Sequence, residues 1–229
     1  MVCNVITADR ANRLFWLGRY AERVYISLHL LRRYYDMVLD GDTKDLHEYY
    51  ECLGIGGDTT REFQLSQLYD LNNICSIATS LSLAGDNAIV LRHDITSESM
   101  SYIQMSQALL EECSLLKEKN ITRLQPVTDY MLAFFGSIDE RVFDNRIRKF
   151  LKIGKLVENI DLHIRFNYPF FRIEEAYLKL KEYIAKIDFV ADDKTIAKLD
   201  DLLTEDKYAD QTAGYKECVL GFISSLVLV

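Results

Sequence analysis

The chain has 229 residues, 49% hydrophobic and 27% charged, enough apolar material for a sizeable core in one large domain or two small ones. A net charge of −8 and a pI near 5.1 argue against a protein that grips nucleic acid through a basic surface; the local run RIRK at 146–149 reads as a solvated helix face. Only two prolines, Pro126 and Pro169, interrupt a sequence with long runs of Leu, Glu, Lys, Ile and Tyr, which favours helices over sheet.

The first predicted helix runs from Asp9 to about Leu39. Leu14, Leu17, Ala21, Val24, Leu28, Leu31 and Tyr35 recur at alternating steps of three and four, a stripe for packing against other helices. Thr7 or Asp9 is placed to cap its start, and Gly41 with Asp42 to end it. KDLHEYYECL is a short amphipathic segment, and GIGGDTT at 54–60 is expected as a loop. That glycine cluster lacks the Lys-Ser/Thr of a phosphate loop, and no strand precedes it. Residues 65–83 form the next helical segment, with Gly85-Asp86 as a junction. A further segment runs from Asn87 to about Lys119, broken near DITSES at 94–99, where Thr96 or Ser97 can cap a new helix. After Asn120, PVTDYMLAFFG at 126–136 is short and apolar. A long helix is expected from about Ile138 to Asn167, stopped by Pro169, followed by helices at 172–187, 193–203 and from about Gln211. No stretch alternates as a strand does, so the predicted fold class is all-α.

The first helix carries three charges, Arg19, Glu22 and Arg23, inside a strongly apolar run, LFWLGRYAERVYISLHL at 14–30. FLKIGKLVENIDLHIRF at 150–166 echoes it. Gly18 matches Gly154, Arg19 matches Lys155 and Glu22 matches Glu158, all 136 positions apart. The expectation is a helical bundle built from two degenerate repeats, each around a long buried helix. It would be one domain over 1–229 with halves about 1–120 and 121–229. At 100° per residue Glu22 and Arg23 point in different directions, so each must address a different neighbour. Arg19 can bridge to Glu22 or stack beside Arg23, and Gly18 lets another backbone or a ligand come close at that level.

The five cysteines form no CxxC and no Cys/His cluster at zinc spacing. Neither HExxH nor a repeated Glu-x-x-His occurs, so no metal and no cofactor are expected. No local nucleophile signature supports hydrolase chemistry. No signal peptide is visible, and the thiols are expected to stay reduced in a cytoplasm. The apolar run VLGFISSLVLV at 219–229 is too short to span a bilayer and is expected to pack into the core or onto a partner chain.

LFWLGRYAERVYISLHLLR resembles the signature of the Alpha-E family, an all-helical domain named for its Glu-Arg motif and often seen as a tandem pair. The echo at 150–166 fits the second copy, with GKLVEN where the family tends to have GRxxER, so that Lys155 and Asn159 replace the two arginines. DNAIVLRHDITSESM at 86–100 is similar to another family segment, with Asn87, Ala88, Arg92, Ile95, Ser97 and Glu98 in matching places and Met100 near a usual tryptophan. The resemblance covers most of the chain. It implies the company of ATP-grasp ligases, transglutaminase-like proteins and NTN-type peptidases in a bacterial peptide synthesis or modification system. It supplies no reaction.

The candidate site is therefore a polar cluster of Arg19, Glu22, Arg23, Arg92 and Glu98, with Glu158 from the second copy. Such a cluster could hold a carboxylate or phosphate of a peptide or aminoacyl substrate through paired arginine contacts. It could equally be a buried network that fixes helix register. Three functional readings follow: an accessory that binds a ligase-type partner or its peptide, an enzyme acting on amine or carboxyl groups, or a structural homo-oligomer with 219–229 in its interface.

Overall fold

Two long helices, α1 (Ala8–Leu39) and α8 (Asn145–Arg165), cross at the heart of the protein, and the remaining helices pack around that pair. The structure is a computed structural model and describes residues 6–40, 45–54, 61–118, 120–187 and 191–227. In chain order the other elements are α2 (Asp45–Leu53), α3 (Arg61–Tyr69), α4 (Ile77–Val90), α5 (Arg92–Ile95), α6 (Ser97–Leu115), a 3-10 turn (Ile121–Leu124), α7 (Gln125–Arg141), α9 (Phe170–Ile184), α10 (Asp193–Leu202), α11 (Glu205–Asp210) and α12 (Tyr215–Ser225). The fold is all-helical; among the described residues the only β feature is an isolated bridge between Ala191 and Val227.

Helix α1 packs against α8 on one side and against α4 and α7 on others, with α6 bridging α4 and α7. Leu14, Leu17, Ala21, Val24, Leu28 and Leu31 of its stripe are all buried. Helix α8 is buried on nearly every face, from Ile147 and Phe150 through Val157 and Ile160 to Leu162 and Ile164, and α9 and α12 close over it. Its charged residues Arg146, Arg148, Lys149, Lys152 and Lys155 are only partly buried, while the apolar positions between them fill the core. Thr7 does cap α1, accepting the Arg10 N–H at 3.3 Å, and Thr96 caps α6 through the Ser99 N–H at 3.3 Å. Thr96 holds a left-handed φ of 68°, uncommon for a β-branched residue.

Several expected boundaries move. Gly85-Asp86 lies inside α4 rather than at a junction; the glycine serves close packing, because a Cβ there would drive into the Gln107 side chain of α6. The break falls earlier, between α3 and α4, where Ser76 caps α4 by accepting the Thr79 N–H. The long helix expected over 138–167 is two helices, because Asp144 accepts the Arg146 N–H at 2.9 Å and restarts the chain as α8. The apolar segment at 126–136 is the body of α7. The tail packs inward: Val219, Ile223 and Leu226 are buried, with α12 against α8 and α10, so that one face of the run belongs to the core. Residues 55–60 of the loop expected at 54–60, the Gly41-Asp42 stop, Cys3 and the last two residues lie outside the described residues. No described helix is long and apolar enough to cross a membrane.

The crossing of α1 and α8 is backbone against backbone. A Cβ on Gly18 would stand 3.1 Å from the Lys155 backbone nitrogen and hard against the Leu151 carbonyl; a Cβ on Gly154 would stand 3.1 Å from the Arg19 nitrogen and hard against the Phe15 carbonyl. Neither carbonyl can swing aside without unwinding its helix. Gly18→Ala and Gly154→Ala are therefore expected to destabilise the protein by about 1–3 kcal/mol or more in denaturant unfolding. Gly136→Ala and Gly221→Ala, in helices with open space at the Cβ, should instead stabilise by about 0.5–1 kcal/mol.

Candidate functional site

The glycine contact sets the register for the charges beside it. Residues 15, 18, 19, 22 and 23 of α1 meet 151, 154, 155, 158 and 159 of α8, and each contact has a counterpart 136 positions away. Glu158, only 1% exposed, receives Arg19 Nε on Oε2 at 2.8 Å. It also receives Arg23 Nε on Oε1 at 2.5 Å and Arg23 Nη2 on Oε2 at 3.1 Å. Glu22, 2% exposed, receives Asn159 Nδ2 on Oε1 at 3.0 Å, and Lys155 Nζ lies 3.6 Å from Oε2. That last distance is an ion pair and not a hydrogen bond, and among the described residues Oε2 has no hydrogen-bond donor.

Aromatic faces hold the cations in place. The Arg19 guanidinium lies 4.9 Å from the Trp16 ring centre, Arg23 lies 5.9 Å from that of Tyr20, and Trp16 stacks on Tyr20. Lys155 Nζ sits 4.0 Å from the Phe135 ring centre.

Similar burial gives the two carboxylates opposite electrostatics. Burial by itself would push Glu158 up, but the charges of Arg23 and Arg19 and their hydrogen bonds bring its pKa below the ordinary glutamate value. For Glu22 burial wins: the Lys155 charge and the Asn159 hydrogen bond only partly offset it, Glu158 adds repulsion, and the pKa is raised. Burial also disfavours the charged form of Arg23, yet Glu158 more than compensates.

The arginine side of the crossing opens into a cavity of about 210 Å³. Arg19, Arg23, Ser27, Glu158, Asp161 and Arg165 supply most of its polar wall, and Leu53, Cys75, Leu162 and Ser224 complete it. Arg165 donates Nε to Asp161 Oδ1 at 2.7 Å, one turn apart on α8. Asp161, Arg165 and Cys75 were not singled out in the sequence, although Asp161 and Arg165 have the spacing of a helical ion pair.

The structure brings together Arg19, Arg23 and Glu158. It sets Glu22 on the lysine-asparagine side, so Arg19 bridges to α8 and not to Glu22. Arg92 and Glu98 do not join the cluster: both are exposed, with Arg92 Nε against His93 Nε2 at 3.3 Å and Glu98 on the first turn of α6. What ties the 86–100 segment to α1 is Asp94, whose carboxylate takes Arg10 Nε at 3.2 Å and Arg10 Nη2. His163 is buried and stacked on Tyr168, and burial, with Arg172 nearby, lowers its pKa to about 4, so it is neutral at physiological pH. Among the described residues no three His, Cys, Asp or Glu side chains gather closely enough to hold a metal ion.

Fold and site define a class: an all-helical protein whose two central helices cross at a pair of glycines, each offering a buried glutamate to polar side chains of the other. The chain belongs to the Alpha-E family, described as a predicted alpha-helical domain with a conserved ER motif, whose model matches residues 8–187. No curated protein matches the chain, and no solved structure does.

Removing one charge from each side gives unlike outcomes. Glu158→Gln leaves the buried Arg19 and the half-buried Arg23 without their carboxylate and is expected to cost about 3–5 kcal/mol in denaturant unfolding. It also removes stability that is present above about pH 4.5 and lost as pH falls through the lowered pKa. Glu22→Gln should leave stability near wild type or higher at neutral pH. The wild-type decline that sets in as pH rises above about 4.5, where the unfolded chain ionises Glu22 before the folded one does, should disappear.

Proposed function

We propose that this chain is a non-catalytic binding component of a bacterial peptide synthesis or modification system, presenting a substrate or itself to an ATP-grasp-type ligase, or to a transglutaminase-like protein, in the cytoplasm. The observation that carries the non-catalytic part is the commitment of both signature carboxylates to joining α1 and α8. A general base has to reach the proton that it removes. Glu158 spends both oxygens on Arg19 and Arg23, and Glu22 is sealed between Asn159 and Lys155. Membership of the Alpha-E family supports the choice of system and partner, and the four described cysteines, all free thiols, suit a reducing compartment.

We further read the reciprocal crossing as the trace of a duplication within one domain of 1–229, with halves about 1–120 and 121–229. The offset of 136 relates not only the sequences of the two helices but their contacts, glycine to backbone and glutamate to base.

The test is reconstitution with an ATP-grasp-type ligase from the same organism. The tagged chain is expected to co-purify with the ligase, and Glu22→Gln should neither break the complex nor stop product formation. Loss of product with Glu22→Gln at an unchanged melting temperature would instead make the chain an enzyme, and absence of any complex would remove the ligase as partner.

A further inference from the structure

We infer that the cavity on the arginine side of the crossing is a binding site for a carboxylate group, of the kind carried by a peptide C-terminus or an acidic side chain. The inference rests on reading the chain as a binding component, but not on the ligase as its partner.

Three guanidiniums, Arg19, Arg23 and Arg165, face two carboxylates, Glu158 and Asp161, so the wall carries one positive charge in a protein whose formal charge is −8. Each guanidinium makes its internal contact through Nε, and Arg23 adds Nη2. Within the described residues no hydrogen bond engages Nη1 of any of the three, nor Nη2 of Arg19 or Arg165. Those outer nitrogens are the fork that a planar carboxylate meets with two parallel bonds. Trp16, Tyr20 and Glu158 already fix the Arg19 and Arg23 planes, so little side-chain entropy remains to be lost on binding. Ser27 and Ser224 add hydroxyls to the wall, while Leu53 and Leu162 line it with apolar surface. At about 210 Å³ the space is below the roughly 300–1,000 Å³ of sites for drug-sized ligands, and it suits an end group more than a whole molecule.

Cys75 stands in the same wall and supplies the readout, with the exposed Cys218 as internal control. The intact chain is alkylated with iodoacetate or iodoacetamide, and each thiol is followed by mass spectrometry. The ratio of iodoacetate to iodoacetamide rate at Cys75 is expected to exceed that at Cys218 by about tenfold or more at low salt, falling as salt is added. N-acetyl-alanyl-alanine should protect Cys75, and its C-terminal amide should not. Arg165→Gln should abolish the preference. Ser224→Glu, at an exposed position, places a carboxylate of the protein's own in the cavity and should abolish it without disturbing the helical melt. Equal ratios at the two thiols, or protection by the amide, would overturn the site. Protection by inorganic phosphate as strong as by the dipeptide would overturn its assignment to a carboxylate. Loss of the ligase complex with the preference intact would remove the partner and leave the site standing.

Discussion

Backbone contact between α1 and α8 at two glycines is the constraint from which the centre of this protein follows. With no side chain between them at Gly18 and Gly154, the helices bring the next turn of each into the other's low-dielectric flank. Charges placed there have lost most of their water and must find partners within a few ångströms. The partner across the crossing is better placed than one on the same helix. Arg19 and Arg23, one turn apart, close on the two oxygens of Glu158 from a single helix, a geometry that no carboxylate of α1 offers them. The apolar core then closes around a polar centre that is almost fully satisfied, with Glu22 Oε2 the exception at the crossing.

Much of this was legible in the sequence, and what was not had physical reasons. The stripe from Leu14 to Leu31 announced α1, and the shared offset of glycine and glutamate announced that 150–166 repeats its pattern. Intrahelical geometry also showed correctly that Glu22 and Arg23 cannot serve one another. The exchange of partners was hidden, because periodicity assigns a face but not the helix that face meets. Asn159, read from the sequence as a missing arginine, is the residue that donates to Glu22. Arg92 and Glu98 were grouped with the cluster by their motif, whereas α5 and the start of α6 turn them to solvent and leave Asp94 to reach α1. The break at 142–144 carries neither glycine nor proline; its one signal is Asp144 as a cap.

The asymmetry of the crossing is as informative as its symmetry. One carboxylate faces two arginines and the other faces a lysine and an asparagine, and the same burial leaves the first firmly ionised and the second resisting ionisation. A lysine offers a point charge where an arginine offers a fork, and an asparagine offers no charge at all. Lys155 and Asn159 thus hold their glutamate less firmly than the two arginines hold theirs, while the glycine contact beneath keeps the register. The cavity lies on the side that carries the arginines.

On the proposed reading, a structural network and a binding site are not alternatives. An arginine that bonds a buried glutamate through Nε is held at a fixed angle, and its outer nitrogens are then presented at a fixed angle too. Had Arg19 and Arg23 been free to move, a ligand would have had to order them on binding; had they been fully wrapped by protein, none could reach them. Here Arg19 and Arg165 bond the fold through Nε and Arg23 through Nε and Nη2, while all three line the cavity. Arg165, anchored in the same way on Asp161, extends that edge along α8. The interaction that fastens the two central helices is thereby also the one that prepares the surface on which a carboxylate can settle.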